Sequence, residues 1–434
     1  MPLGDRNSQK QLGLEMESAV RRRLDSLARH LRPPQVLYSE LNRTPLSSSA
    51  LKFTGSSPVL IGGMVMDIHA KPYTDPAPGT TTPGEVQYVR GGVARNIAEC
   101  MWKLGISPFM ISAIGLDMLG EMLLNYWKSA GLCTKGILQT SSIRTPVVSI
   151  IFDSAGELAA AVANVDAVEK FLTPDFIKQF ENYIRSAPML ILDANLHPQS
   201  IEFACQIAAG AGIPIWFEPV SVKKSTRITA VVNYITCASP NENELIAMAN
   251  ALSPTTEFQL YVKPTQGHQS PESLFHILKP AICFLLDKGI KMLIVTLGSD
   301  GVFLCISEWP RFKNHAIVSS KLSNNARIQN EVANEGCSLK KTCPTDLGAK
   351  FFAFHFPALH ASVVSLTGAG DCLVAGIIAS ICSGFDVMQS VALGISVAKA
   401  AVESETNIPD EFCLNSIADE AKFILSAVKQ LPIE

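Results

Sequence analysis

From Ser57 onward the chain alternates short apolar runs with longer amphipathic stretches, and this alternation limits the fold more than any other feature. Residues 59–65, 109–114, 189–192, 213–217 and 292–297 read as buried strands, too short for helices and rich in Val, Ile and Leu. Between them, residues 92–104 (ended by Gly105), 198–209 and 241–251 carry helical spacing. Strands that alternate with helices form βαβ units, so the expected class is α/β with a mostly parallel central sheet.

One stretch breaks the rhythm. Residues 145–152, a turn at Asp153-Ser154-Ala155-Gly156 and residues 158–163 read as a hairpin. A small antiparallel sheet attached to a parallel domain predicts a lid, with elements at about 67–92 and 143–165. Its apolar residues Val147, Ile150 and Leu158 are expected to be exposed and to join two chains lid to lid, as a homodimer. Residues 308–350 are polar and poor in periodicity, and read as a surface insertion. Residues 1–52 differ again, with Arg21-Arg22-Arg23, Pro33-Pro34 and Ser47-Ser48-Ser49. The division expected is therefore an N-terminal segment of 1–52 and one domain over 53–434.

A chain of 434 residues, 47% hydrophobic and 17% charged, can bury a sizeable core, as two or three average domains or as one large α/β domain with appendages. A net charge of −3 gives no electrostatic footprint for nucleic acid. The charge-free run 351–370 holds His355, Pro357 and His360, so no membrane span is expected. The 11 cysteines form no C-x-x-C pair and read mostly as small buried hydrophobes, as in a soluble protein of a reducing compartment.

The strongest motif is Ser365-Leu366-Thr367-Gly368-Ala369-Gly370-Asp371, a glycine turn after an expected strand at 362–365 that opens a small-residue helix. The N–H groups of a helix start converge on one point and, with the macrodipole, attract an anion. Gly368 and Gly370 let the backbone approach a phosphate. Asp371 at that point reads as a general base beside an anion hole, or as a plain helix cap. Gly91-Gly92-Val93-Ala94-Arg95-Asn96 is a second double glycine opening a helix, with Asn96 one turn in, able to bond a polyol; a tight turn is the simpler reading. Asp67 follows the first strand, at the end where open α/β sheets bind ligands. Asn241 with Glu244 three residues on fits a capping box, or a carboxylate holding water around Mg²⁺ and phosphates. Thr296-Leu297-Gly298-Ser299-Asp300-Gly301 fits a hairpin turn or a nucleotide-binding loop.

The order and texture of these five elements resemble the PfkB (ribokinase-like) carbohydrate and nucleoside kinases from about residue 57 to the C-terminus. The resemblance implies a ribokinase-like three-layer sandwich with a small β-sheet lid, and ATP with Mg²⁺. It places Asp371 as base and Gly368, Ala369 and Gly370 as the anion hole. Asn241 and Glu244 would serve Mg²⁺ and phosphate, and Thr296, Gly298 and Gly301 would contact ATP. Asp67, Gly91, Gly92 and Asn96 would hold sugar hydroxyls. Ser365 stands where many ribokinases carry an aspartate near a monovalent-cation site, and a hydroxyl is a weaker, uncharged ligand for K⁺. Within the family, residues 61–67, 91–99 and 218–224 resemble the group that phosphorylates pseudouridine at its 5′-hydroxyl, with Arg95 where many sugar kinases have a small residue. Lys224 is expected to reach the active site, or else to be one of a solvated Lys-Lys pair. Other acceptors within the fold (adenosine, ribose, fructose), or a non-catalytic binding protein, are the alternatives.

The stretch Arg23-Leu24-Asp25-Ser26-Leu27-Ala28-Arg29-His30-Leu31 resembles an R-L-x-x-x-x-x-H-L peroxisomal targeting nonapeptide. It implies an import receptor as partner and a peroxisomal location; an organellar transit peptide or a solvated basic helix would carry similar residues.

Overall fold

The computed structural model describes residues 57–76, 79–153, 158–255, 257–263, 269–310, 312 and 351–433. The targeting nonapeptide and nearly all of the 308–350 insertion lie outside them. Along the chain run β1 (Val59–Ile61), β2 (Val65–Pro72), β3 (Gly84–Gly91), β4 (Phe109–Gly115), β5 (Ile137–Thr140), β6 (Val147–Phe152) and β7 (Leu158–Asn164). They are followed by β8 (Leu190–Asp193), β9 (Ile215–Glu218), β10 (Cys237–Ala238), β11 (Met292–Thr296), β12 (Val302–Ile306), β13 (Phe352–Phe356) and β14 (Lys429–Gln430). The longer helices are α1 (Val93–Lys103), α2 (Met118–Ser129), α3 (Pro198–Gly210), α4 (Glu242–Leu252), α5 (Pro271–Asp287), α6 (Ala369–Cys382), α7 (Val387–Val402) and α8 (Leu414–Ala427).

Among the described residues the large sheet has ten strands, in the order β14-β13-β12-β11-β10-β9-β8-β1-β4-β5. It is parallel from β11 to β5, and β12, β13 and β14 add an antiparallel edge. Successive side chains of a strand point to opposite faces, so β1 alone serves two cores. Leu60 packs with residues of α1, α2, α6, α7 and α8, whereas Val59 and Ile61 pack with those of α3, α4 and α5. Three layers result, helices on sheet on helices, with both faces of the sheet dry. Continuous apolar runs rather than alternating ones are what such a sheet demands. No helix among the described residues is long and apolar enough to cross a membrane.

The second sheet, β3-β2-β6-β7, stands apart from the first. It is mixed rather than purely antiparallel, because β6 pairs parallel with β2 while β3 and β7 run antiparallel to their neighbours. Its register sets Asp67 and His69 on one face, both buried. Val86, Tyr88, Ile151 and Val162 fall on the other and are 64%, 53%, 40% and 74% exposed. Val147 and Ile150, expected to be exposed together, are half-buried and lie on opposite faces, since their spacing of three is odd in a period of two. The side chain of Leu158 lies outside the description.

The strand expected at 362–365 is absent. Both Val364 and Ser365 donate to one carbonyl, that of Val402 at the end of α7, and one carbonyl cannot support a ladder. That segment is an irregular, exposed crossing which delivers the chain to the start of α6.

Candidate active site

Gly368 precedes α6 with φ 84°, and a Cβ there would strike the carbonyl oxygen of Asn407, so only glycine fits this turn. No side chain caps the helix, and a Cβ on Gly370 would meet nothing within 4 Å, which leaves approach to the first-turn N–H groups open. Asp371, in that first turn, accepts from Asn96 Nδ2 at 2.6 Å across 275 residues of sequence. Burial pushes the Asp371 carboxyl up to about 7; the nearby carboxylates of Asp193 and Asp67 push the same way, while Asn96 and Arg95 oppose them.

Both glycines at 91 and 92 are demanded by close approach. A Cβ on Gly91 would overlap the Asp67 carboxylate, and Gly92, at φ 98°, lies against the Gly63 carbonyl. The tight-turn reading therefore holds, and the same turn lies against the Asp67 carboxylate and opens the helix that carries Asn96. Asp67 accepts from Asn407 Nδ2 at 3.2 Å, and burial raises its carboxyl above the ordinary range. Asn407 was not expected from sequence. It sits in a loop after α7 with no motif around it, 340 residues from its partner, and its carbonyl, packed on Gly368 and met by the Cys372 thiol at 3.8 Å, ties it to the anion turn.

Asp193, at the end of β8, is a second residue the motifs missed, although a strand's carboxyl end is where open α/β sheets bind ligands; Asp67, expected just past a strand, lies instead inside β2 of the small sheet. It is buried and accepts from the N–H groups of Gly63, Ala94 and Asn195 at 3.1, 3.4 and 2.9 Å. Lys224 is drawn in beside it. Its Nζ bonds to Asn195 Oδ1, and burial lowers its pKa against the pull of Asp193. Glu218 ends β9 and receives the Ser239 hydroxyl, whose oxygen in turn accepts from Trp216 Nε1 at 2.8 Å. Burial drives the Glu218 carboxyl well above its usual range, and the charges of Asp371 and Glu244 add to the shift. Val220 follows at φ 68°, a left-handed conformation that costs a β-branched residue roughly 1–3 kcal/mol.

Asn241 and Glu244 form a capping box at the start of α4, each side chain accepting the other's backbone N–H at 2.9 Å. The structural reading of that pair is thus present in full. Asn241 also bridges to Thr296, and the Thr296 N–H donates to Pro240 at 2.9 Å, so the start of α4 and the end of β11 share one edge of the site. Gly298 (φ 61°) and Gly301 (φ 97°) shape the β11–β12 turn, where a Cβ on Gly301 would overlap the Phe356 carbonyl. Ser365 accepts from the Thr367 N–H at 3.3 Å. Among the described residues no three His, Cys, Asp or Glu side chains gather as a metal centre.

The arrangement is an uncapped helix start with a raised carboxylate in its first turn, facing two further strand-end carboxylates. It suits deprotonation of an alcohol beside a bound phosphate. The family model described as pfkB family carbohydrate kinase matches residues 57–320 and 334–411. The chain belongs to that family. An Arabidopsis thaliana pseudouridine kinase is 47% identical over 380 residues, which is 87% of this chain and 98% of that relative. An Escherichia coli pseudouridine kinase is 23% identical over 362 residues, 83% of this chain and 95% of the relative. Among solved structures, an Arabidopsis thaliana ribokinase complexed with ribose and ATP superposes with a TM-score of 0.62 at 18% identity, covering 85% of this chain and 99% of that one. The fold is thus ribokinase-like, as the alternation and motifs led one to expect, and the chain is a phosphotransferase acting on an alcohol group.

Proposed function

We propose that this chain transfers the γ-phosphoryl group of ATP to the 5′-hydroxyl of pseudouridine, giving pseudouridine 5′-phosphate. The observation that carries this reading is the 47% identity, over nearly the whole relative, to a pseudouridine kinase. Asp371 takes the hydroxyl proton, and its carboxyl near 7 is tuned to do so at neutral pH. The N–H groups around Gly368, Ala369 and Gly370 receive the charge of the transferring group. Asp67 and Asn96, held at the Gly91-Gly92 turn, take the ribose hydroxyls, and Lys224 lines the same cleft. Residues of the β11–β12 turn (Thr296, Gly298, Gly301) and Asn241 take ATP. Small-sheet face Asp67–His69 forms the inner wall of a lid over the acceptor.

Mg²⁺ fits this donor set through water, because the Asn241 N–H engages one Glu244 oxygen and the other is left to hold the ion's water shell. When bound with ATP it would neutralise phosphate charge. The exposed outer face of the small sheet is the surface we assign to a homodimer. The nonapeptide at 23–31 supports delivery to peroxisomes by an import receptor, and a tagged chain altered at His30 and Leu31 is expected to stay in the cytosol.

An ADP-release assay with ATP and Mg²⁺, offering pseudouridine, uridine, adenosine, ribose and fructose in parallel, tests the acceptor. Turnover is expected to favour pseudouridine strongly. Preference for another acceptor would leave the phosphotransferase in place and overturn the substrate, and no turnover with any would favour a binding role.

A further inference from the structure

Arg95 is 1% exposed, and a guanidinium taken out of water needs partners for its charge and its donors; both terminal nitrogens have them, while the buried Nε has none. Its charge is met by Glu99, one turn along α1. Glu99 is itself held by the Tyr126 hydroxyl at 2.6 Å and by Lys103 Nζ at 2.9 Å. The other arm of the fork reaches toward the site. It donates to Asn96 Oδ1 and, at 2.8 Å, to the carbonyl oxygen of Arg90.

Both contacts lead to a substrate-facing carboxylate. A guanidinium has donors only, so it fixes which way the Asn96 amide points: the oxygen toward Arg95, and the NH₂ toward Asp371 at 2.6 Å. The flipped amide would set N–H against N–H on one side and oxygen against carboxylate on the other. The Arg90 carbonyl that receives Arg95 also receives Asn407 Nδ2 at 3.2 Å, and the same nitrogen reaches Asp67 Oδ2 at 3.2 Å. One buried fork thus touches the supports of Asp371 on α6 and of Asp67 on the small sheet.

We propose that Arg95 is a positioning residue for phosphoryl transfer: its fork orients the Asn96 amide onto Asp371 and anchors the Arg90–Asn407 contact that holds Asp67. The proposal rests on the reading of Asp371 as the base. A lysine retains the charge but has no planar fork to span Glu99, Asn96 and the Arg90 carbonyl together, so charge and geometry separate experimentally. The charged groups that face Asp371 are Arg95 from α1, Asp67 from β2, Asp193 from β8 and Glu218 from β9. Arg95 is the one cation in that set, and its removal moves the acid limb of kcat/KM for the acceptor to higher pH.

The test compares Arg95→Lys, Arg95→Met and the charge-paired Arg95→Met/Glu99→Gln in the full chain, with Asp371→Asn as control. The expected result for both Met-bearing variants is a kcat lowered about 10²-fold with the KM for ATP little changed. Their acid limb should move up by roughly one pH unit. Arg95→Lys is expected to keep the limb near its original place yet not to recover kcat. Recovery of both by lysine, or a folded Met/Gln pair with wild-type kcat and limb, overturns the positioning role. The paired variant leaves no buried carboxylate facing a missing cation, so it tests the proposal even where Arg95→Met fails to fold. If Asp371→Asn retains turnover, the reading of the base has failed; if it is inactive while the Arg95 variants behave as wild type, only the present inference has.

Discussion

A carboxyl held near 7 is half-ionised at neutrality, where a base is strong enough to take an alcohol's proton and still mostly free to act. The same property has a cost in stability, and its sign follows from linkage. The folded state holds the Asp371 proton up to about 7, whereas the ordinary value is 3.8. Its contribution to stability is therefore fully present below about 4 and is lost as pH rises through 7. Asn resembles the protonated acid and does not titrate. Asp371→Asn is expected to lower kcat by about 10²–10⁴-fold with ATP binding retained by calorimetry. The variant should also melt above the wild type at pH 8, with the gap closing toward pH 4. The wild-type kcat/KM for the acceptor should fall as pH drops below about 7. A variant that turns over normally, or that melts lower than the wild type at pH 8, would remove the strained-base account. The motif around Asp371 was legible because glycines and an acid are compressed into seven positions. Asn407 was not, because what matters about it is a carbonyl against Gly368 and an amide against Asp67, and neither leaves a local pattern.

At the scale of elements, helix starts were read more faithfully than surface crossings. Capping is a local reaction between a side chain and an N–H three residues on, so Asn241 and Glu244 announce α4 wherever the helix packs. Residues 362–365 have strand-like composition, but strands need partners, and the partner here is one carbonyl at Val402. The hairpin turn at 296–301 foretells β12, whereas β13 and β14 leave no such signal, because they find their places only through register with β12 and with each other. Helix α5 shows a local rule overridden by its surroundings. It begins well, with Ser270 as cap and Pro271 in the first turn, yet carries Pro280 inside. An internal proline lacks the N–H for its i−4 carbonyl and crowds it, while Leu278, Ala281, Ile282 and Leu285 pack the helix down regardless. Since Pro280 itself is exposed, replacing it loses little packing. Pro280→Ala is expected to stabilise the chain by about 1 kcal/mol or more, read as a higher urea midpoint with unchanged slope. A lower midpoint would mean that the core is fitted to the bend.

Among the described residues, the small sheet leaves an apolar surface that its own packing does not explain. Val86, Tyr88, Ile151 and Val162 sit side by side on the outer face of the small sheet, while the inner face buries Asp67 and His69. A four-stranded sheet with one face toward a cleft and the other in water would ordinarily alternate apolar-in with polar-out. Here the outer face is apolar and the inner one carries the ionisable groups, an inversion that makes sense if the outer face meets a second copy while the inner meets substrate. The face is common to both copies, so the contact would be isologous, and residues from β3, β6 and β7 would be covered together. On that basis light scattering of the wild type should give twice the mass of one chain at micromolar concentration. Val86→Glu/Val162→Glu, which sets two charges on each face and four across the contact, should give the mass of one chain. Because the same strands position Asp67, the monomer is expected to retain ATP binding but to show a raised KM for the acceptor, about 10-fold for each 1.4 kcal/mol of lost support. A monomeric wild type would end the dimer. A dimer that survives both glutamates would place its interface elsewhere and leave the apolar face of the small sheet without a partner.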